Sequence, residues 1–210
     1  IILNNIKKYN NIDLLVLSGR ENNKNIIDKN QFFDENSRDE KRNILDCIKN
    51  FNKFRATCWN FIIKKNILLL NNIKFKNIKV FEDQAFVSDV LCLIDKYKII
   101  AKPIYAKNTA ETDSLSKKTG QVVARSCAQT IYEVSKILNL RKNFMNKKKI
   151  RFLLSRINFV IEQLLLNILV CKKTEVDDIS NYLFKHFSYI SKLPTNYIKK
   201  KCFFLKRKKK

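Results

Sequence analysis

The chain has 210 residues, of which 45% are hydrophobic and 30% are charged, and its 43 Lys and Arg against 19 Asp and Glu give a formal net charge of +24. These values exclude an intrinsically disordered chain and allow one domain with a buried core, or one domain with a helical appendage. Because the sequence contains only 2 Gly and 2 Pro, few tight turns are expected and helices should dominate.

The first half of the chain alternates between strand patterns and helix patterns. The run Ile12 to Leu17 is short and apolar, which predicts a buried strand, and the polar segment 18–38 predicts a loop. Apolar residues at helical spacing predict amphipathic helices, and alternating apolar residues predict strands. The further predicted elements, in chain order, are helices at 39–54 and 61–72, a strand at 73–80, a helix at 83–97 and a strand at 99–105.

The second half is predicted to be helical, with helices at 117–140, 147–172 and 175–192 and a basic tail. The most apolar run, 157–171, is interrupted by polar residues and is too short to span a bilayer. Basic clusters stand at 147–149, 172–173, 199–201 and 206–210. Such clusters attract anionic membrane surfaces or nucleic acid, and they also serve as solvated charge that keeps an apolar protein soluble. Both explanations of the lysine clusters stay open.

The cysteines carry no metal-ligand pattern. The 6 Cys include no CxxC pair, and the sequence has only one histidine, His186. Several of these cysteines fall on apolar faces, where a free thiol behaves as a small hydrophobe. We therefore expect reduced thiols in a cytosolic protein, with no metal site in this chain.

An acidic pair, Glu82 and Asp83, leads the helix that follows the predicted strand 73–80. Carboxylates in the first turn face the positive end of the helix dipole, which favours their ionised form. An ionised carboxylate that reaches a hydroxyl proton can serve as a general base. The alternative is a common structural arrangement, in which Asp83 is the helix N-cap and Glu82 a solvated neighbour.

The acidic pair also has a distinctive sequence context. The segment Thr57-Cys58-Trp59-Asn60 precedes it, and Pro103-Ile104-Tyr105 follows after the next predicted strand. This order resembles the acceptor half of the family 2 glycosyltransferases with the GT-A fold, and the resemblance covers residues 9–116. It implies an α/β fold in which residues 1–116 form part of a GT-A sheet with helices. A helical region at 117–196 and a basic tail at 197–210 would follow.

The resemblance also implies a role for each matching residue. Members of the family transfer a sugar from a nucleotide-diphospho-sugar with inversion at the anomeric carbon. Asp83 would be the catalytic base and Glu82 its supporting neighbour. The acceptor-binding residues would be Trp59, Asn60 and Tyr105, and the diphosphate-binding residues would be Lys107 and Ser114. Trp59 can equally be a core anchor for the helix that follows it.

Two departures from the family pattern concern the donor. The family often continues after the tyrosine with a second aromatic and an arginine, whereas Ala106 and Lys107 stand here, so a point charge replaces a bidentate group. The Asp-x-Asp motif that holds the nucleotide diphosphate through Mg²⁺ or Mn²⁺ is also absent. We therefore expect a fragment that lacks the donor-binding half and is inactive alone, with the divalent metal bound only by the full-length enzyme.

The leading hypothesis is a bacterial-type glycosyltransferase that adds a sugar to a cell-surface glycan or a lipid-linked acceptor. Its partners would be the nucleotide-sugar donor and the glycan acceptor, with no nucleic acid. It would be cytoplasmic and peripheral on the inner face of the cell membrane, where Phe203 and Phe204 among the tail lysines suit anionic headgroups. The alternatives are a basic helical protein without catalysis, which binds an anionic membrane or nucleic acid, and a decayed gene product.

Overall fold

The computed structural model describes residues 7, 11–21, 27–28, 33, 43–107, 119–186 and 188, and for 18–21, 27–28 and 101–107 it describes the backbone alone. The chain divides into two compact units. Unit 1 comprises Ile1–Phe75 and Phe86–Thr112, and unit 2 comprises Lys76–Ala85 and Asp113–Lys210. The α/β class predicted from the sequence is confirmed, because both a mixed sheet and long helices are present.

Unit 1 is built around a four-stranded sheet. Its strands are β1 (Leu14–Glu21), β2 (Ile27–Asp28), β3 (Phe61–Ile63) and β4 (Tyr97–Lys107). Strand β4 pairs with β1 in parallel over the whole length of β1, while β2 and β3 pair with it antiparallel. Since a strand has only two edges, β3 and β2 share the other edge of β1, beside its first and second halves.

The core of unit 1 explains why β1 forms where it does. Leu14, Leu15 and Val16 are almost completely buried, as expected for a strand with neighbours on both edges. Aromatic packing closes the core, because the Phe33 ring meets the Phe54 ring edge-on at 5.6 Å. The Sγ atom of Cys47 lies 2.7 Å from the hydroxyl oxygen of Tyr97, so the buried thiol and phenol form a hydrogen bond with each other.

Three predicted elements of unit 1 are confirmed. The strand predicted at 12–17 is the first part of β1, and the strand predicted at 99–105 lies within β4. The helix predicted at 83–97 is present at Glu82–Leu93. A bend over Ile94 to Lys96 follows this helix and leads directly into β4.

The strand predicted at 73–80 is wrong. Residues 73–80 form neither strand nor helix, although Ile73, Ile78 and Val80 are buried as the alternation requires. Their amides bond locally instead, as from Ile73 to the Leu68 carbonyl at 2.9 Å. Alternating burial indicates only that a segment lies on a core, and it does not supply a neighbouring strand with which to pair.

The helix predicted at 39–54 is also wrong in its described part, 43–54. This segment holds only a 3₁₀ turn, Ile44–Asp46, and the Leu45 amide of this turn donates to the Asn43 side chain. A second asparagine, Asn50, accepts a hydrogen bond from the Asn52 amide at 2.9 Å. Asparagine side chains compete with the backbone carbonyls for these amides, which favours turns over a continuous helix.

The helix predicted at 61–72 begins later than expected. Trp59 and Asn60 belong to a 3₁₀ turn, Cys58–Asn60, and β3 follows directly before helix α1 (Lys65–Leu70). The Phe-Ile-Ile sequence of β3 suits a strand, because aromatic and β-branched residues pack well on a pleated surface. The loop predicted at 18–38 is also partly strand, since β1 continues to Glu21 and β2 lies at Ile27–Asp28.

The three helices predicted for the second half of the chain are present in its described part, 119–186. With the helix Glu82–Leu93 numbered α2, they are α3 (Gln121–Arg141), α4 (Lys147–Ile168) and α5 (Lys173–Lys185). Helices α3 and α4 form a hairpin, whose close approach is favoured by the buried Ala124 and Ala128. Among the described helices, none is both long enough and apolar enough to cross a membrane.

Candidate functional site

The acidic pair lies where the sequence placed it, at a helix start. Glu82 and Asp83 are both in the first turn of α2, and both side chains are partly buried. The residue that precedes the helix is Phe81, so Asp83 lies one position inside α2 rather than at its cap. The exposed amides of the first turn and the helix dipole therefore face both carboxylates.

Phe81 fixes the backbone immediately before the pair. Its φ angle is 67°, a left-handed conformation that is uncommon for a bulky residue. Its carbonyl accepts a hydrogen bond from the Gln84 amide at 3.0 Å, and its ring meets the Phe159 ring edge-on at 6.3 Å. Strained backbone of this kind persists only where the surroundings hold it, and it is enriched at functional sites.

The two carboxylates do not have equivalent surroundings. Burial raises the pKa of Glu82, the backbone amide of Glu82 itself opposes this rise, and the neighbouring charge of Asp83 adds to it. Glu82 therefore keeps its proton to a higher pH than an ordinary glutamate.

Two polar side chains behind the acidic pair were missed by the sequence analysis. Gln84 is only 6% exposed and Ser88, one helical turn later, is fully buried. Among the described residues, neither the Oε1 atom of Gln84 nor the Oγ atom of Ser88 has a hydrogen-bond partner. The sequence signal was a Gln and a Ser four residues apart on an otherwise apolar helix face. Buried polar atoms of this kind can serve as acceptors for water or for a ligand hydroxyl.

The predicted acceptor residues Trp59 and Asn60 lie together on the 3₁₀ turn before β3, and both are partly exposed. The Asn60 side-chain amide donates to the Thr57 hydroxyl at 2.9 Å. Its buried Oδ1 atom has no hydrogen-bond partner within the described part of the chain. Asn60 is thus held in a fixed orientation by Thr57, while its Oδ1 atom is shielded from solvent.

Tyr105 lies near the carboxyl end of β4, with its backbone paired to Gly19, and Lys107 pairs with Glu21. The turn that carries Trp59 contacts β1 from the opposite edge. Because Phe61 pairs antiparallel with Val16, the residues before Phe61 extend toward the carboxyl half of β1. The structure therefore brings the Trp59-Asn60 turn and the Tyr105 backbone to the two sides of the same half of β1. Ser114 lies outside the described residues.

The acidic pair belongs to unit 2 and the acceptor-side residues belong to unit 1. In the ranges that the structure describes, no three His, Cys, Asp or Glu side chains are grouped to hold a metal ion.

Comparisons of this chain with protein-family models, with curated proteins and with solved structures found no match.

Proposed function

We propose that this chain forms the acceptor side of an inverting glycosyltransferase, with Asp83 as the general base. The observation that carries the proposal is the Glu82-Asp83 pair in the first turn of α2, held by the left-handed Phe81. This helix leads through a short bend into β4, which runs parallel to β1. The parallel pairing of β4 with β1 supports a sheet in which ligands bind near the carboxyl ends of parallel strands.

The proposed reaction is a single displacement. A hydroxyl oxygen of the acceptor sugar forms a bond to the anomeric carbon of the donor, and the bond from that carbon to the diphosphate oxygen breaks. The hydroxyl proton passes to Asp83, and the nucleoside diphosphate leaves with the bonding electron pair. The position of Asp83 in the first turn of α2 supports this assignment, because the amino-terminal end of a helix dipole favours a negatively charged group.

The acceptor would be held by Trp59, Asn60 and Tyr105. The partly exposed Trp59 would lie against the apolar side of a sugar ring, and Asn60, on the same 3₁₀ turn, would supply a polar contact. Support comes from the position of the Trp59-Asn60 turn and the Tyr105 backbone on either side of one half of β1.

This chain would contribute fewer contacts to the donor than to the acceptor. Lys107 lies at the carboxyl end of β4, where its charge would meet the diphosphate together with Ser114. The divalent metal and the Asp-x-Asp motif that bind the nucleotide in the resembled family would act in the full-length enzyme. The proposed acceptor is a cell-surface glycan or a lipid-linked sugar at the inner face of the cell membrane.

The test is a transfer assay on the intact gene product that contains this sequence. The protein is supplied with Mg²⁺ or Mn²⁺, a panel of nucleotide-diphospho-sugars and surface glycans from the source cell. Release of nucleoside diphosphate that depends on the acceptor, and a product with inverted anomeric configuration by NMR, would support the proposal. A product with retained configuration would contradict it, since retention does not need a base on the acceptor.

A further inference from the structure

The hairpin of α3 and α4 ends in an exposed segment that the proposed site does not use. We name residues 140–151 the basic tip; it includes the 3₁₀ turn Lys142–Phe144. Phe144 is 89% exposed and Leu140 is 66% exposed. Two local hydrogen bonds shape the tip: the Met145 amide donates to the Lys142 carbonyl, and the Lys149 amide donates to the Asn146 side chain, which caps α4.

The charge around these two apolar side chains has one sign. No acidic residue occurs in the sequence between Glu133 and Glu162, so the basic tip contains none. Lys142, Lys147 and Arg151 are all exposed. Lys147 and Arg151 are four residues apart in α4 and therefore share one helix face. An exposed aromatic and an exposed aliphatic side chain thus belong to the same short segment as three exposed cations, and this segment contains no carboxylate.

Single exposed apolar residues are common and need no explanation. Here, however, two large apolar side chains and three cations occupy one chain reversal. This combination is complementary to an anionic bilayer, whose phosphates attract lysine and arginine and whose acyl boundary accepts apolar side chains. A nucleic acid would use the cations and stack a base on Phe144, but Leu140 has no aromatic face with which to stack.

We propose that the basic tip docks on an anionic phospholipid bilayer. Phe144 and Leu140 enter the boundary between headgroups and acyl chains, and Lys142, Lys147 and Arg151 lie among the lipid phosphates. This contact is separate from the terminal tail, and it uses no residue of the candidate glycosyltransferase site. Its failure would therefore leave the proposed reaction untouched, and failure of the reaction would leave the docking surface in place.

The first experiment measures co-sedimentation of the full chain with vesicles. Vesicles of equal parts phosphatidylcholine and phosphatidylglycerol are compared with vesicles of phosphatidylcholine alone, at low and high salt. Wild-type chain should bind the anionic vesicles, and high salt should weaken this binding. The double variant Lys142→Gln/Lys147→Gln should bind roughly 25-fold more weakly, because each charge near the surface contributes about fivefold. The variant Phe144→Ser should lose about tenfold through its lost apolar burial.

Matched variants elsewhere in unit 2 serve as controls. Phe184→Ser removes another exposed phenylalanine, which lies beside a lysine in α5, and Lys172→Gln/Lys173→Gln removes two other exposed lysines. Both controls should bind anionic vesicles as the wild type does. Equal losses in the tip variants and the controls would overturn the proposal, because binding would then follow net charge and general apolarity rather than the tip.

A fluorescence experiment tests insertion directly. Trp59 is the only tryptophan of the chain, so wild-type protein supplies the background for the variant Phe144→Trp. Anionic vesicles should shift the added emission to the blue, and brominated acyl chains should quench it. An unshifted emission in vesicle-bound protein would overturn the proposal. It would also be overturned if the tip variants lost binding to a single-stranded oligonucleotide but kept full binding to vesicles.

Discussion

Phe81 shows how one residue can fix the geometry of the acidic pair. Its left-handed φ angle of 67° costs free energy for any side chain that has a Cβ atom. The edge-on contact with Phe159 and the hydrogen bond from the Gln84 amide hold it in that conformation. The strain is therefore a property of the native structure that stability measurements can detect.

We predict that Phe81→Gly is more stable than Phe81→Ala. Both variants lose the ring contact, but only alanine keeps the left-handed strain, so glycine should have the higher free energy of unfolding by about 1 kcal/mol. At Lys136, within the regular helix α3, the same pair should show the opposite order by about 1 kcal/mol. Urea denaturation of the four variants checks this, and a more stable alanine at both positions would contradict the left-handed geometry.

The raised pKa of Glu82 predicts a pH dependence of stability. Because burial raises this pKa above 4.5 in the folded protein, the folded state binds more protons than the unfolded state just above that pH. The contribution of Glu82 to stability is thus greatest below 4.5 and is lost as the pH rises through the folded pKa. Glu82→Gln removes this loss.

The measurement is the melting temperature of Glu82→Gln minus that of the wild type, followed from acidic to neutral pH. This difference should increase as the pH rises through the raised pKa of Glu82. Asp95→Asn, which removes an exposed carboxylate shortly after α2, controls for the loss of one charge. If the melting temperature of Glu82→Gln relative to the wild type stayed constant or fell over this pH range, burial would not disfavour the charged form of Glu82.

At the scale of secondary structure elements, the contact between the start of α3 and the end of α4 depends on one glycine. Gly120 precedes α3 with a φ angle of 75°, and its amide donates to the Asn167 side chain at 3.0 Å. An added Cβ atom would meet only the Val170 side chain, at the ordinary contact distance of 3.9 Å. Space is therefore available for a methyl group, and the backbone conformation alone requires glycine.

We predict that Gly120→Ala lowers the free energy of unfolding by about 1–3 kcal/mol, the usual cost of a strained backbone conformation. Asn167→Ala should cost about 1 kcal/mol through the lost hydrogen bond. Val170→Ala in the Gly120→Ala background distinguishes strain from crowding. It should restore no stability, and a restored unfolding free energy would mean that side-chain contact, rather than φ, sets the cost.

Helices were easier to predict from the sequence than the short elements of unit 1. The long helices α3 and α4 bury apolar side chains at helical spacing, and this period is unambiguous over many turns. The segment 73–80 shows the limit of such patterns, since its alternating burial satisfies a core without any strand partner. At 43–54, asparagine side chains bond the amides that a helix would need.

The candidate site was partly predictable at this scale as well. The acidic pair was placed correctly because a helix start is a local property, which depends on neighbouring residues. The Trp59 turn and β4 lie on opposite edges of the same half of β1. This placement depends on strand register, which single-sequence patterns do not specify. Gln84 and Ser88 were missed because periodicity alone does not reveal a buried polar atom that lacks a partner.

At the scale of the whole molecule, the division into units does not follow the order of the sequence. Lys76–Ala85 groups with the carboxy-terminal helices, although the chain on either side of it belongs to unit 1. The unit boundary therefore falls within α2, three residues after Asp83. The basic tail at 197–210, expected to favour anionic membranes, lies outside the described residues, and that expectation stays a prediction.

The most direct test of the central claim is the turnover of Asp83→Asn in the intact gene product, measured in the acceptor-dependent transfer assay. The amide is almost isosteric with the carboxylate, so folding and donor binding should stay nearly intact. Turnover should fall by roughly two to four orders of magnitude, the usual contribution of a positioned general base. Glu82→Gln should cost less, because the role proposed for Glu82 is a supporting one.

Asp95→Asn is the matched control, with the same substitution at an exposed aspartate beyond the end of α2, and it should keep wild-type turnover. A thermal unfolding curve for each variant separates lost chemistry from lost structure. The account predicts a folded Asp83→Asn protein with little transfer and a folded Asp95→Asn protein with full transfer. Full turnover in a folded Asp83→Asn protein would contradict the assignment of Asp83 as the base.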